Sequence, residues 1–190
     1  MTDRDIIQER GRSLEDDYFR KKDRELIEKI QRAADADRAR ADVGRAAGLA
    51  DPALAQELLD LGFTAETVTL LPIVPILQMA WAEGGVSQSE RDLIVRFARS
   101  RGIAEGSAAD QQLTSWLANR PSEAVFGRAG RLIRAVLDSG SDPGLNADDL
   151  VAYAEKIASA SGGVFGIGKI SSEERALLSG LAADLKGRQA

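Results

Sequence analysis

The sequence contains neither cysteine nor histidine among its 190 residues. The lack of cysteine excludes disulfides and thiolate nucleophiles, and the lack of histidine excludes an imidazole base and a Cys/His zinc site. Any metal ion would need oxygen ligands. No polar constellation typical of an active site is recognisable, so we expect a non-enzymatic protein with no catalytic residue and no organic cofactor. Whether the protein binds a divalent cation stays open.

Aromatic residues and long apolar runs are also scarce. Aromatics make up 5% of the chain, so the core must consist mainly of Leu, Ile, Val and Ala. The most apolar run, residues 67–82, is interrupted by two prolines and is shorter than the roughly 20 residues that span a bilayer. The N-terminus is charged throughout, unlike a signal peptide. We therefore expect a cytoplasmic protein without membrane insertion.

Excess positive charge is missing as well, since the net charge is -5. No global positive field attracts the chain to phosphates, and we expect no nucleic-acid partner. Local groups of arginines do occur, at residues 91–101 and 128–134. We interpret them as solvated helix faces, or as partners of the protein's own carboxylates or of an acidic partner.

What the sequence does contain is a series of helix signals. Caps, glycines and prolines divide it into helical stretches, and no stretch alternates like a strand. The predicted fold is all-α: a compact bundle of about seven helices, plus an N-terminal charged helix. One predicted helix, residues 64–83, is buried and kinked at Pro72 and Pro75. Another predicted helix begins at Asp51-Pro52. The remaining five cover residues 87–102, 108–118, 123–138, 147–160 and 172–186.

The N-terminal segment is predicted to be a charged helix over residues 13–42, capped by Ser13. Its apolar residues recur at helical spacing and form a thin stripe. We divide the chain into a helical arm, residues 1–48, and a helical domain, residues 51–190. The arm is expected to dock on a protein partner through Tyr18, Phe19, Leu26 and Ile30.

Two stretches of the domain resemble each other. "ILQMAWAEGGVSQSERDLI" begins at Ile76, and "AEKIASASGGVFGIGKISSEERALL" begins at Ala154. Each ends a helix with A-x-A-x-G-G and starts the next with an aliphatic residue, Ser, two spacers and Glu. This S-x-x-E pattern predicts capping boxes at Ser87 with Glu90 and at Ser171 with Glu174. The domain therefore contains two pseudo-repeated helix-loop-helix halves, the second with six extra residues.

The motif "MAWAEGGVSQSERDLI", with its second occurrence, resembles the signature of the TerB-like family of tellurite-resistance proteins. That family shares its domain with certain membrane-anchored DnaJ-like co-chaperones. The resemblance covers about residues 53–187. It implies a compact helical domain with two similar halves, a role in stress response, protein contacts and acidic residues that bind a metal ion. The family's Asp before Gly is Glu83 here, and Ser161 takes that place in the second half.

Carried over to this chain, the resemblance implies a metal site made of Glu83, Glu90, Glu173 and Glu174. A hard cation such as Ca²⁺ requires six to eight oxygen ligands, so the two halves would have to bring these carboxylates together. Purely structural capping is the alternative reading of Glu90 and Glu174.

The loop 162–169 raises a further possibility, because Gly163 to Lys169 has the G-x-x-x-x-G-K spacing of a phosphate-binding loop. Such a loop follows a strand and is followed directly by Ser or Thr. Here a helical pattern precedes it and Ile170 follows Lys169, so we interpret it as a long inter-helix loop. Its apolar residues either pack on the core or form a contact patch.

The arm also resembles, over about twenty residues, the N-terminal segment of the proteobacterial F-type ATPase inhibitor of the zeta type. Three functions therefore remain. The first is a non-enzymatic protein-interaction module, and the second is a metal-binding stress protein with oxygen ligands. The third is an ATPase-inhibitor-like regulator that acts through its N-terminal helix. The partner's identity, the pathway and the oligomeric state stay open.

Overall fold

The computed structural model of the chain describes residues 3–82, 84–142, 144–160 and 170–186, with side chains from residue 18 to residue 185 within those ranges. The predicted all-α fold is confirmed: these residues form helices and no strand. A 3₁₀ segment, Val68–Ile73, precedes the third of the α-helices. The α-helices are α1 (Asp3–Ala47), α2 (Pro52–Asp60), α3 (Val74–Ala80), α4 (Gln88–Ser100), α5 (Ala108–Ala118), α6 (Glu123–Ser139), α7 (Ala147–Ala160) and α8 (Ser172–Lys186).

Helix α1 is longer than its apolar pattern indicated. It runs from Asp3 to Ala47, so the prediction of a start capped by Ser13 is wrong. The helix continues through residues with high helix propensity, among them Arg, Gln and Glu before residue 18 and Ala and Arg after residue 30. The helix ends before Gly48, whose positive φ of 67° suits a C-terminal glycine.

The chain divides into two compact units, Met1–Ala39 and Arg40–Ala190. No described side chain of the first unit, residues 18–39, is buried. Val43 and Ala47, in the last two turns of α1, are buried in the second unit. An N-terminal truncation that keeps the second unit intact must therefore remove no residue beyond Ala39.

The proline-containing segment forms two short elements rather than the single kinked helix predicted over residues 64–83. A 3₁₀ segment contains Pro72, and α3 starts anew with Pro75 in its first turn. Each proline lacks a backbone N–H and clashes with the preceding turn, so the α-helical ladder cannot run through both. The predicted burial of this segment is present, since Ile73, Val74, Ile76 and Leu77 are fully buried.

The core of the second unit is built around the first helices of the two repeats. Helices α3 and α7 make its most extensive contact, α8 packs on α6 and α7, and α4 packs on α7. The buried side chains are almost entirely aliphatic, as the scarcity of aromatics predicted. Within the described residues, no helix combines the length and the apolar character needed to cross a bilayer.

The end of α1 is fixed to the rest of the second unit by close contacts that involve side chains. The Ser141 hydroxyl donates to the carbonyl of Ala47 at 3.3 Å. A Cβ on Gly48 would overlap the Ser141 side chain, so only glycine fits there. Arg40 donates to the side chain of Gln56 on α2 at 2.9 Å.

Candidate functional site

The first helix-loop-helix joint connects α3 to α4. Gly84 has a φ of 90°, which allows the chain to turn after α3. Ser87 then caps α4: its hydroxyl accepts from the Glu90 backbone N–H at 3.3 Å. The Glu90 carboxylate accepts in return from the Ser87 backbone N–H at 2.7 Å, which completes a capping box.

The second joint repeats this geometry at the start of α8. The Ser171 hydroxyl accepts from the Glu174 backbone N–H at 3.1 Å, and the Glu174 carboxylate accepts from the Ser171 backbone N–H at 2.7 Å. The joints are neighbours, because the Ser89 hydroxyl donates to the carbonyl of Ala160, the last residue of α7, at 3.4 Å. In the described residues, the capping box at the start of α4 is thus repeated at the start of α8.

Both capping glutamates are buried, which the sequence did not indicate. Glu90 is 3% exposed and Glu174 is 1% exposed. A buried carboxylate requires hydrogen-bond partners, and the backbone N–H of the preceding serine supplies one in each case. These carboxylates therefore act inside the fold rather than at its surface.

The four glutamates of the predicted metal site occupy different environments. Glu83 lies outside the described residues, as does the loop 162–169. Glu173 is exposed in the first turn of α8, beside Trp81 and Glu123 at an open depression of about 500 Å³. Among the residues whose side chains are described, no group of three carboxylates is placed to hold a metal ion.

The predicted partner-binding residues are all exposed on α1. Tyr18 and Phe19 are 58% and 61% exposed, and their rings meet edge to face at 5.9 Å. Leu26 and Ile30 are 55% and 59% exposed. Ile27, which the sequence interpretation left out, is exposed to 52% beside them. We call Phe19, Leu26 and Ile30, with their neighbours Tyr18 and Ile27, the apolar stripe.

The two tryptophans join the α3–α4 joint to α5. The indole N–H of Trp81 donates to the backbone carbonyl of Trp116 at 3.0 Å. Trp116 packs edge to face on Phe63 at 5.7 Å. Both tryptophans are half-buried against the core, so they serve the packing of the second unit rather than an open binding platform.

Several arginines bind backbone carbonyls and carboxylates of the chain itself. Arg91 donates to the carbonyl of Leu117 at 3.0 Å. Arg99 donates to the carbonyl of Ile103 at 2.9 Å and to Asp110 at 2.7 Å, and Arg101 contacts Asp142. On α6, Arg128 and Arg131 pair with Glu57 of α2. Four of these arginines thus pair with the protein's own carboxylates, while Arg128 and Arg131 also stay more than half exposed on α6, as solvated helix faces are.

Asp110 organises the loop before α5. Its carboxylate accepts from the Gly106 backbone N–H at 2.9 Å and from Arg99, and these two interactions hold the pKa of Asp110 below its ordinary value. Both favour the charged form. The charged carboxylate therefore stabilises the folded state.

We expect Asp110→Asn to lower the stability of the protein at neutral pH and to have a smaller effect in acid. Because the folded-state pKa is depressed, the stabilisation is complete above the ordinary value of 3.8 and is lost as the pH falls through the folded-state pKa. Urea unfolding of both proteins across this range measures the difference. A difference that is equally large at the acidic end would contradict the assigned role of the charge.

A cavity of about 190 Å³ lies where the end of α1, the 3₁₀ segment and α6 meet. Its wall is apolar at Val68, Leu71 and Ile133, and Arg101 and Asp142, already paired with each other, lie at its polar side. The volume is below the range of about 300–1,000 Å³ typical of small-molecule sites. The depression of about 500 Å³ beside Glu173 is within this range but is open to solvent rather than enclosed, so the surface that stands out is the apolar stripe on α1.

Comparison with known proteins returns no relatives: the chain matches no protein-family model, no curated protein and no solved structure. The resemblance to the TerB-like family thus rests on the residues of the two joints alone.

Proposed function

We propose that this chain is a cytoplasmic, non-enzymatic protein-interaction module, in which a TerB-like helical domain carries an N-terminal helix that docks on a protein partner. The observation that carries the proposal is the apolar stripe. Five large apolar side chains are more than half exposed on one helix, within a unit that has no buried side chain among its described residues. Such exposure on a helix is typical of a docking surface.

The chemistry of the second unit supports a binding role over a catalytic one. Its conspicuous polar groups are engaged within the fold: Glu90 and Glu174 cap helices, and Arg99 and Arg101 hold loops. A stress-related role follows from the TerB-like resemblance. The metal-binding function and the ATPase-inhibitor-like function stay predictions, and no contact in the described residues favours either.

The proposal is tested with the triple variant Phe19→Ala, Leu26→Ala, Ile30→Ala. Alanine keeps the helix while it removes the apolar contacts, so proteins bound by the wild-type chain should be lost from the variant. The measurement is a cross-linked pull-down with the full-length chain as bait, read by mass spectrometry. A differently tagged copy of the chain is expressed in the same cells, so that a second copy can be detected among the captured proteins.

The matched control is Lys21→Ala, Glu28→Ala, Asp35→Ala. These exposed residues lie opposite the three substituted stripe residues on the same helix, because successive residues advance by about 100°. The control should retain every partner. If the stripe variant also retained every partner, the docking role of the stripe would be wrong.

A further inference from the structure

We infer that a groove on the second unit, between α6 and α8, is a docking site for a helix of a partner protein that carries basic residues at both ends of an apolar stretch. The groove is distinct from the apolar stripe, and the inference goes beyond the docking role proposed for α1. It is carried by the shape and apolar wall of the groove together with the carboxylates at its rim.

One continuous groove runs along α8. The open depression of about 500 Å³ and a second one of about 190 Å³ share Gln78, Ala176 and Leu177 as lining residues. From Glu173 to Asp184, the α8 side of the groove extends over about three helical turns, or roughly 16 Å. An open groove of this length suits a docked helix better than an enclosed small molecule.

The wall of the groove is largely apolar. The α8 residues that line it recur every three or four positions, so one side of α8 faces the groove: Glu173, Ala176, Leu177, Gly180, Leu181 and Asp184. Leu177 and Leu181 are only partly buried, and Phe126 of α6 lies below them. Trp81 forms one end, held in place by its hydrogen bond to Trp116. A helix with an apolar side would remove this surface from water.

Glycines keep the groove open at positions where packing within the fold does not require them. Gly127 and Gly180 lie inside α6 and α8, where glycine is less favourable than alanine. Both are exposed, and a Cβ at either position would meet no atom within 4 Å. Gly130 differs, because a Cβ there would lie 3.0 Å from the Asp184 carboxylate. Gly127 and Gly180 therefore provide room for the close approach of another chain.

Carboxylates predominate at the rim. Glu173 and Asp184 lie at the two ends of the α8 side, and Glu123 lies on α6. Arg120 is the only cation among the described lining residues; it contacts Glu123 and lies 5.1 Å from the centre of the Phe126 ring. Within the described part of the chain, neither Glu173 nor Asp184 takes part in an ion pair.

The stability of α8 accounts for one of these two carboxylates and not for the other. Glu173 lies in the first turn, where the helix dipole favours negative charge, whereas Asp184 lies in the last turn, where the dipole disfavours it. Basic residues about three turns apart on a partner helix would complement both carboxylates. The charges of the rim thus specify Lys or Arg at both ends of the partner's apolar stretch.

The experiment measures the binding of a labelled synthetic helix to the full-length chain by fluorescence anisotropy. The Lys peptide has about 14 residues, with leucines along one side and lysines about three turns apart beside them. The Glu peptide has glutamate in place of each of these lysines. We expect the Lys peptide to bind at least about tenfold more tightly. In NMR spectra, its binding should shift the backbone amide signals of Gly127, Gly130 and Gly180.

Two variants and a matched control test the location of binding. Gly180→Leu fills the groove and should weaken binding of the Lys peptide at least about tenfold, while the open space at this position and the higher helix propensity of leucine preserve the fold. Ser179→Leu makes a similar change at the adjacent exposed position, outside the groove, and should bind as the wild type does. Glu173→Lys with Asp184→Lys should reverse the preference in favour of the Glu peptide. Circular dichroism checks that every variant keeps its helix content.

Each outcome decides for or against the groove. A preference for the Lys peptide that is lost in Gly180→Leu and reversed in Glu173→Lys with Asp184→Lys supports the inference. Equal binding of the two peptides, or no binding of the Lys peptide at about 1 mM, overturns it. Binding that Gly180→Leu leaves unchanged also overturns it, because the net charge of the protein would then hold the peptide elsewhere. The docking role of the apolar stripe is independent of these results, since its own variants test it.

Discussion

Leu77→Ala is expected to lower the free energy of unfolding by about 3 kcal/mol. Leu77 lies on α3 and is fully buried, in the helix that makes the most extensive contact of the second unit. Removing a buried isobutyl group loses its transfer free energy and leaves a cavity that the neighbours fill only in part. For a domain of this size, the melting temperature should fall by roughly 6–12 °C.

The matched control makes the same chemical change on the other unit. Leu26→Ala removes a side chain that is 55% exposed, so its effect should stay within about 0.5 kcal/mol. Both variants are unfolded in urea at low protein concentration, where association adds nothing to stability. An equal loss in both would contradict the division into an exposed helix and a separate core.

Local chemistry explains which helices could be predicted from the sequence. The observed bounds of α5, Ala108–Ala118, and α7, Ala147–Ala160, equal the predicted ones. In each case a side chain directly before the helix accepts from a backbone N–H three residues on: Ser107 from Asp110, and Asn146 from Asp149. Such bonds depend on a few neighbouring residues and are therefore visible in the sequence.

The two wrong helix predictions concern the bounds of elements: one placed the start of α1 at a cap on Ser13, and the other continued a single kinked helix through Pro72 and Pro75. Residues 3–12 of α1 lack an apolar stripe, and only their helix propensity indicates a helix. At Pro72 and Pro75 an apolar run continues while the backbone changes from 3₁₀ to α. Such a run indicates burial, and it does not show which hydrogen-bonding pattern the backbone adopts around two prolines.

Interactions between residues that are distant in the chain could not be predicted from the sequence. Arg101 contacts Asp142 and Trp81 donates to Trp116, although these partners are 41 and 35 residues apart. Nothing near either residue specifies the partner, because the packing of several helices brings them together. The burial of Glu90 and Glu174 has the same origin: the capping hydrogen bonds are local, and the exclusion of water depends on the assembled domain.

Replacing both buried glutamates, Glu90→Ala with Glu174→Ala, is expected to lower the free energy of unfolding by about 4 kcal/mol. Each substitution leaves the backbone N–H of Ser87 or Ser171 without its carboxylate acceptor, at about 2 kcal/mol per site. The two sites begin different helices, α4 and α8, so their effects should be close to additive.

The glutamine variants of the same residues decide between capping and metal binding. Glutamine has nearly the same size, and its amide oxygen accepts a hydrogen bond as a carboxylate does. If Glu90 and Glu174 serve as caps, Glu90→Gln with Glu174→Gln should cost no more than about 1 kcal/mol, with or without Ca²⁺. If they hold a cation, Ca²⁺ should raise the melting temperature of the wild type, and the loss of two charges should abolish that rise.

We expect the melting temperature of the wild type to be the same with and without Ca²⁺. Both carboxylates face the backbone N–H of the serine before their own helix, at 2.7 Å, and both are buried. A cation there would have to displace these hydrogen bonds and enter a region that excludes water. It would also require several further oxygen ligands. A stabilisation by Ca²⁺ that disappears in the glutamine variants would reverse the assignment and make the repeated Ser-x-x-Glu pattern a pair of metal ligands.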